Sequence, residues 1–326
     1  MRILVIFLLV CSHFVSAQRV DTVRFTSGQN RLVGWLYRPG GVPSKPQPVV
    51  LILHSATYGR HDYSLYLDLA RELNRMGIAV FSYDRRGNGL SSAKAANTSY
   101  TDLAKDGLAA LRAVKALPGI NTQCVGLYGI SQGCWIAAIM NTLDSKASQF
   151  TILVSGSTES PSQQMDFAAR YHLQAKGVAS SSIDSAIRVR NAVDDFYRGK
   201  LPYKQAATLR KQVETRKWFA DAIVFKLDSV SDSGWKRDMD FTPAPYFRKF
   251  VTPTLVLYGE YDEWVNTQKG LKDWPSWQLP RLSLHSIPGA NHLMLVGRDE
   301  NPARPVVAGR YHQLIRAWVA GLACRQ

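Results

Sequence analysis

The architecture is indicated first by residues 124–141, CVGLYGISQGCWIAAIMN. The continuous apolar run from Cys124 to Tyr128 predicts a buried β-strand, and the stretch from Gln132 to Asn141 predicts an α-helix. Between them, residues 129–133 match the pattern G-x-S-x-G with Ser131 at its centre. The flanking glycines allow the chain to turn sharply, so that the Ser131 hydroxyl stands exposed above the sheet. The sequence therefore predicts a reactive serine where a buried strand meets a helix.

Strand-like and helix-like stretches alternate on both sides of this motif. Continuous apolar strands that alternate with helices predict an α/β fold, with a mostly parallel sheet covered by helices on both faces. A hairpin is predicted near the N-terminus, with strands over residues 20–26 and 32–37. The further predicted strands are Val49–Leu53, Ile78–Tyr83, Phe150–Val154, Thr254–Tyr258 and Leu282–Ile287, and the further helices are Tyr63–Met76, Thr101–Leu117 and Val306–Leu322.

The alternation stops between residues 157 and 250, where the chain has many polar residues and little strand signal. Helical spacing is present over Ser181–Phe196 and Tyr203–Phe225. An insertion between two strands of a parallel sheet lies at its carboxyl edge, where ligands of open α/β sheets bind. We therefore predict a core made of residues 18–156 and 251–326, and a helical cap or lid made of residues 157–250.

The first 17 residues have the order of a secretory signal peptide. Arg2 provides a positive start, residues 3–10 are apolar, and Val15-Ser16-Ala17 offers a cleavage site before Gln18. A lipid-anchored form through Cys11 is a minor alternative, since Val10 is large for such a site. No other apolar run is long enough to cross a bilayer. We expect a secreted or periplasmic protein without stable membrane insertion.

Charge and cysteine content limit the classes of partner and cofactor. The formal net charge is +15, but the 40 basic residues are scattered among 25 acidic ones. This pattern favours solubility over nucleic-acid binding. The mature chain would keep Cys124, Cys134 and Cys324, of which at most one pair can form a disulfide. Their spacing matches no zinc site, so the sequence predicts neither a metal ion nor a cofactor.

A serine hydroxyl needs a base to become a good nucleophile. His292 is the best candidate, because it lies in a loop between the last predicted strand and the closing helix. The other histidines of the mature chain lie within predicted strands or helices, in polar stretches or, for His54, at the end of a strand. Asp262 follows the strand that ends at Tyr258 and is the preferred acid, with Glu260 and Glu263 as alternatives. The chain order Ser131, Asp262, His292 is that of a serine–acid–histidine triad on an α/β sheet.

An oxyanion requires two hydrogen-bond donors. The amide of Gln132 at the start of the helix is one candidate, and Ala56 in the loop after His54 is the second, with Ser55 in reserve. Trp264, next to Asp262, is the best candidate for a substrate-binding side chain. Four aromatic residues of the cap are candidates for lining an acyl pocket, although side chains with this spacing more often pack inside a lid: Trp218, Phe219, Trp235 and Tyr246.

Residues 84–91, DRRGNGLS, form a further glycine-containing motif at the end of a predicted strand. A dinucleotide site would need a third glycine and a following acid at set spacings, and both are missing. We interpret the motif as a structural turn beside the active site.

From about Val49 to the C-terminus the chain resembles the α/β-hydrolase superfamily. Four stretches resemble a bacterial group of serine esterases with a helical insertion, sometimes described as dipeptidyl-aminopeptidase- or acylaminoacyl-peptidase-like: residues 77–87, 102–106, 128–133 and 160–165. This resemblance implies hydrolysis of short acyl esters. Two departures from the group bear on acyl preference: Cys134 stands where glycine is frequent, and Ser55 replaces a glycine of the oxyanion loop.

These observations lead to a secreted serine hydrolase that cleaves carboxylic esters of small molecules through an acyl-enzyme. A serine peptidase or amidase and a thioesterase are the alternatives within the same chemistry. A non-catalytic binding protein on the same fold belongs to a different class, and labelling of Ser131 by a serine-directed probe separates it from an enzyme.

Overall fold

The computed structural model describes residues 19–41, 44–92, 98–227, 234–296 and 306–325. The predicted signal peptide lies outside the described residues. Eight strands form one sheet in the order β1-β2-β4-β3-β5-β6-β7-β8. The strands are β1 (Arg19–Ser27), β2 (Asn30–Arg38), β3 (Gln47–Leu53), β4 (Ala79–Tyr83), β5 (Ile120–Ile130), β6 (Phe150–Val154), β7 (Thr254–Gly259) and β8 (Leu282–Ile287).

The sheet is parallel from β4 through β8, and β2 runs antiparallel to both of its neighbours. The β1–β2 hairpin closes at the pair Ser27 and Asn30, and Gly28 in the turn has φ 57°. The sequence-based prediction of an α/β fold with a mostly parallel sheet is confirmed. The parallel strands bring the loops that follow them to one edge of the sheet.

The described residues form ten α-helices, which cover the sheet and fill the segment between β6 and β7. They are α1 (Ser64–Arg75), α2 (Tyr100–Lys115), α3 (Gln132–Leu143), α4 (Pro161–Ala175), α5 (Ser180–Tyr197), α6 (Tyr203–Lys211), α7 (Gly234–Asp238), α8 (Ala244–Phe247), α9 (Thr267–Ser276) and α10 (Gly309–Ala320). None of the described helices is long and apolar enough to cross a bilayer.

Side chains on β3 show how the sheet is buried on both faces. Val49 and Leu51 belong to a cluster that includes residues of α2 and α3. Val50 and Ile52 belong to a second cluster, which includes residues of α1 and α10. Successive side chains of a strand point to opposite faces, so a strand that is apolar throughout requires a layer of helices on each side.

Helices α4 to α8 lie between β6 and β7, and the described part of this segment contains no strand. Two apolar clusters hold it together. One is built on Leu173 of α4 and Ile183 of α5, and the other on Val193 and Tyr197 of α5 with Met239. A lid function for this segment stays a prediction.

Several elements differ from the sequence-based expectations, among them the closing helix, which runs from Gly309 to Ala320 instead of Val306 to Leu322. The single helix expected over residues 203–225 ends at Lys211, because the chain must turn to place Trp218 and Ile223 against the first of these clusters. Strand β5 begins at Ile120, four residues earlier than its apolar run indicates. Helix α9 was not predicted, although its Trp274 is fully buried.

Cys124 of β5 and Cys324 near the C-terminus form a disulfide that spans 200 residues. Cys134 is a free, buried thiol. A crosslink over so long a segment stabilises the folded state by restricting the unfolded chain. The disulfide therefore fastens the C-terminal residues to a central strand of the sheet.

We expect the substitution Cys324→Ser to lower the free energy of unfolding by about 2–4 kcal/mol, since the loop constraint is lost. Urea unfolding of the mature protein measures this change. A reductant should destabilise the wild type to the same level and leave the variant unaffected. Equal stability of oxidised and reduced wild type would contradict the prediction.

Candidate active site

Ser131 occupies a strained turn between β5 and α3. Its backbone has φ 53° and ψ −120°, a region that non-glycine residues rarely adopt. Its amide donates to the carbonyl oxygen of Val154 at 2.8 Å, and its carbonyl oxygen accepts from the amide of Cys134 at 2.9 Å. These two bonds hold the strained residue against β6 and the first turn of α3.

The glycines around Ser131 are required by close backbone approach. A Cβ atom on Gly133 would lie 2.0 Å from the carbonyl oxygen of Leu53, and one on Gly129 would lie 2.6 Å from the carbonyl oxygen of Gly133. Both distances are far below van der Waals contact. A side chain at either flanking position would therefore collide with backbone atoms, as the sequence analysis expected.

His292 and Asp262 form a buried pair. The Nδ1 atom of His292 lies 2.9 Å from Oδ1 and 3.0 Å from Oδ2 of Asp262. The side chain of His292 is 9% exposed and that of Asp262 is fully buried. Oδ1 of Asp262 also accepts from the amides of Trp264 at 2.9 Å and Val265 at 2.8 Å. The carboxylate is thus fixed by two backbone donors and can orient the imidazole ring.

The two alternative acids have other partners. Glu260 accepts from the amide of Gly289 at 2.8 Å, and Glu263 accepts from the backbone amide of His292 at 3.3 Å. Both glutamates therefore support the loop that carries His292. Asp262 is the acid that the fold brings to the imidazole ring.

Two residues that the sequence analysis did not single out also hold this loop. Ser155, which follows β6, donates from its hydroxyl to the carbonyl oxygen of His292 at 2.8 Å. The side-chain oxygen of Asn291 accepts from the amides of Leu293 and Leu295, each at 3.0 Å. The only sequence signal for Ser155 is its place directly after a buried strand, at the edge where ligands bind.

The loop after β3 supplies the second candidate oxyanion donor. The amide of Ser55 is occupied, because it donates to the hydroxyl of Tyr66 at 3.1 Å. That hydroxyl in turn donates to the carbonyl oxygen of Tyr58 at 2.9 Å. Ala56 is exposed and lines the cavities beside Ser131. Of the two residues considered, Ala56 is therefore better placed to offer a free amide, with Gln132 at the start of α3 as its partner.

Two cavities meet at Ser131. Both are lined by Ala56, Ser131, Gln164 and Met165. The first, of about 380 Å³, is named the histidine-side cavity and continues along Tyr58, Glu263, Trp264, His292 and Leu293. The second, of about 280 Å³, is named the aromatic cavity and continues along Tyr100, Gln132, Trp135, Phe225, Trp235 and Asp238.

The aromatic residues considered for substrate binding lie in different places. Trp264 lines the histidine-side cavity, and Trp235 lines the aromatic cavity. Trp218 packs against the α4–α5 cluster, and Phe219 lies under the guanidinium of Arg210 at 5.6 Å. Tyr246 packs at the edge of the main core. The structure therefore brings Trp264 and Trp235 to Ser131 and leaves the other three in packing positions.

Residues 84–91 form a hydrogen-bonded turn next to the site. Asp84 is buried and accepts from the amide of Leu90 at 2.7 Å and from the amide of His61 at 3.1 Å. Arg86 makes two hydrogen bonds of 2.5 and 2.8 Å to Asp106 on α2. The motif is thus tied to the loop after β3 and to a neighbouring helix. Within the described ranges, no group of three or more His, Cys, Asp or Glu residues could hold a metal ion.

We expect Gly133→Ala to lower the free energy of unfolding by more than about 2 kcal/mol, because its methyl group overlaps backbone atoms of β3. Gly309→Ala is the matched control, since its added Cβ has no described atom within 4 Å apart from its chain neighbours and its own helix backbone. Urea unfolding of both variants tests the prediction. Equal stability of the two variants would show that the contact between the turn and β3 is loose.

Comparisons with known proteins give a family match and structural neighbours. The sequence model of the Alpha/beta hydrolase family matches residues 49–308. No curated protein matches the chain in sequence. The narrower resemblance to peptidase-like esterases is not confirmed by these comparisons.

Several solved structures have the same fold at low sequence identity. Est1E from Butyrivibrio proteoclasticus, with ferulic acid bound, is 16% identical with a TM-score of 0.57, over 91% of this chain and 95% of that one. Pyrococcus furiosus esterase Pf2001 is 15% identical with a TM-score of 0.60, over 93% and 91%. DcsB, in complex with a substrate analogue, is 14% identical with a TM-score of 0.60, over 93% and 98%.

These identities are too low to transfer an activity, and they show the fold alone. The family match covers most of the chain and includes the turn at Ser131, the acid at Asp262 and the loop of His292. It supports a hydrolase. The chain belongs to the alpha/beta hydrolase family.

Proposed function

We propose that the protein is a serine hydrolase that cleaves carboxylic esters through an acyl-enzyme. One observation carries the proposal: Ser131, on its strained turn, and His292, paired with a buried carboxylate, line the same cavity at the carboxyl edge of the sheet. A nucleophile, a base and an orienting acid are the groups that this chemistry needs.

In the proposed first step, Nε2 of His292 removes the proton of the Ser131 hydroxyl as Oγ attacks the ester carbonyl. Asp262 holds the proton on Nδ1 and stabilises the imidazolium that forms. The amides of Gln132 and Ala56 donate to the oxyanion of the tetrahedral intermediate. Such donors cost little reorganisation when the backbone already holds them in place.

In the second step, the imidazolium of His292 gives its proton to the leaving alcohol, and the carbonyl double bond re-forms as the alcohol departs. A water molecule then loses a proton to His292 and attacks the acyl-enzyme. Collapse of the second tetrahedral intermediate returns the proton to Oγ of Ser131 and releases the acid.

The two cavities have different places in this mechanism. The leaving oxygen must face His292 in order to be protonated, so the alcohol part belongs in the histidine-side cavity. The acyl part then extends into the aromatic cavity, whose volume of about 280 Å³ suits a short or single-ring acyl group. Its walls include Trp135 and Trp235, which favour apolar rather than charged acids.

We further propose that the protein is secreted or periplasmic. The Cys124–Cys324 disulfide supports this location, because disulfides form and persist in oxidising compartments. N-terminal sequencing of the exported protein, with Gln18 as the expected first residue, tests the proposal.

We expect Ser131→Ala to reduce kcat for p-nitrophenyl butyrate by at least about 10⁴-fold, since a triad without its nucleophile retains little activity. The Ser131→Ala variant should also lose fluorophosphonate labelling while its melting temperature stays unchanged. Normal turnover by the folded variant would refute the mechanism. An absence of both labelling and turnover in the wild type would favour a binding protein.

We expect Trp235→Ala and Trp264→Ala to affect opposite parts of the substrate. The first should change the ratio of kcat/KM for benzoyl and acetyl esters of one alcohol by about tenfold, the usual effect of a lost apolar wall. The second should leave that ratio unchanged and alter selectivity among acetates of different alcohols. If instead Trp264→Ala changed acyl selectivity and Trp235→Ala changed alcohol selectivity, the acyl and alcohol parts would occupy the opposite cavities.

A further inference from the structure

Arg85 bonds to Gln132, one residue with a proposed oxyanion donor, and to Ser55, which precedes the other, Ala56. It follows β4, within the turn of residues 84–91, and its side chain reaches the loop after β3. Its Nη1 atom donates to the carbonyl oxygen of Ser55 at 2.8 Å and to the side-chain oxygen of Gln132 at 3.0 Å. One guanidinium therefore joins the loop that carries Ala56 to the first residue of α3.

No carboxylate of the described residues forms an ion pair with Arg85. Asp106, an acid in its surroundings, is engaged by Arg86 through two hydrogen bonds. The Nε atom of Arg85 is buried and, within the described part of the chain, has no hydrogen-bond partner. Burial lowers the pKa of Arg85, yet an arginine side chain stays charged in proteins. A partly buried cation that forms no ion pair with the described carboxylates thus hydrogen-bonds to Gln132, the residue after Ser131.

The bond to Ser55 acts on the donor group of Ala56. The carbonyl oxygen of Ser55 and the amide of Ala56 belong to the same peptide unit, so a cationic donor on the oxygen draws electron density away from the N–H. Hydrogen bonds polarise one another in this way when they form a chain, and the effect is greater in a medium of low dielectric. The Ala56 amide therefore becomes a stronger donor toward an oxyanion.

The neutral side chain of Tyr66 already supports the loop after β3. Tyr66 accepts from the amide of Ser55 and donates to the carbonyl oxygen of Tyr58, so it spans the same loop from another side. Arg86 secures the turn itself through its ion pair with Asp106. What Arg85 adds to these contacts is a positive charge.

We propose that Arg85 is a positioning residue of the oxyanion hole: it fixes and polarises the Ser55–Ala56 peptide, holds Gln132, and supplies a charge complementary to the transition state. The inference rests on the proposed function, because an oxyanion exists only if Ser131 attacks a carbonyl. The ground-state ester is neutral, whereas the tetrahedral intermediate is an anion. The charge of Arg85 therefore stabilises the transition state more than the bound substrate.

The test compares Arg85→Met and Arg85→Lys with the matched control Arg86→Met. We expect Arg85→Met to lower kcat for p-nitrophenyl butyrate by about 10–100-fold with KM within threefold, as for the loss of oxyanion stabilisation. Arg85→Lys keeps the charge and should recover at least a fifth of wild-type kcat. Arg86→Met should lose thermal stability through its unpaired Asp106, while kcat stays within threefold of the wild type.

A pair of inhibitors separates electrostatics from a change in shape. A trifluoromethyl ketone adds to Ser131 as an anionic hemiketal, whereas the matching methyl ketone binds as a neutral ground-state analogue. In Arg85→Met, affinity for the trifluoromethyl ketone should fall by the same factor as kcat, with the methyl ketone unaffected. A folded Arg85→Met with wild-type kcat, or an equal loss for both ketones, would overturn the proposal.

The failure of this inference differs from failure of the proposed function. If the wild type neither hydrolyses esters nor binds the trifluoromethyl ketone through Ser131, the proposed function itself is wrong. If the wild type is active and Arg85→Met is equally active, only the role of Arg85 is wrong. If Arg85→Met does not fold, Arg85→Lys tests the proposal instead. A kcat of Arg85→Lys below a fifth of the wild-type value, with equal losses of affinity for both ketones, would contradict a role for the charge.

Discussion

The close approach between the turn at Ser131 and the end of β3 is the constraint on which the site depends. Gly133 lies so near the carbonyl oxygen of Leu53 that an added methyl group would overlap it. This contact draws the start of α3 against the neighbouring strand and holds Ser131 at φ 53°. Backbone strain of this kind costs about 1–3 kcal/mol and persists only where surrounding structure enforces it. The amide of Gln132 and the loop of Ala56 are brought to Ser131 by the same contact.

The remaining parts of the site are fixed by backbone hydrogen bonds rather than by side-chain packing alone. Asp262 accepts hydrogen bonds from two backbone amides of its own loop, and the carbonyl oxygen of His292 accepts one from the hydroxyl of Ser155. Each loop follows a different parallel strand, so the sheet sets the spacing between Ser131, Asp262 and His292. Rigid support of this kind allows hydrogen-bond donors to be in place before charge develops. Arg85 extends the same support with a charge that has no carboxylate partner among the described residues.

Much of the fold and the core of the site could be predicted, because they depend on short-range patterns. Apolar strands such as Val49–Leu53 indicate burial on both faces, and the glycines of G-x-S-x-G indicate a sharp turn without room for side chains. The sequence favoured Asp262 but kept Glu260 and Glu263 as alternatives, since three carboxylates within four residues differ mainly in the direction that the loop gives them. Helix α9 was missed, and the helix after Tyr203 was expected to be longer. In both places, packing of Trp274 or Trp218 against distant residues outweighs local periodicity.

The sequence by itself determined the alternating order of strands and helices, the serine in its sharp turn and the chain order Ser131, Asp262, His292. These features are local, because they follow from side-chain size, periodicity and loop position. Only the tertiary structure decided which cysteines pair, which aromatic side chains line the cavities and that the amide of Ser55 is occupied by Tyr66. It also placed Arg85 between Ser55 and Gln132, residues 30 and 47 positions away in the chain. Such contacts depend on the relative placement of strands, which the residue type at a single position does not determine.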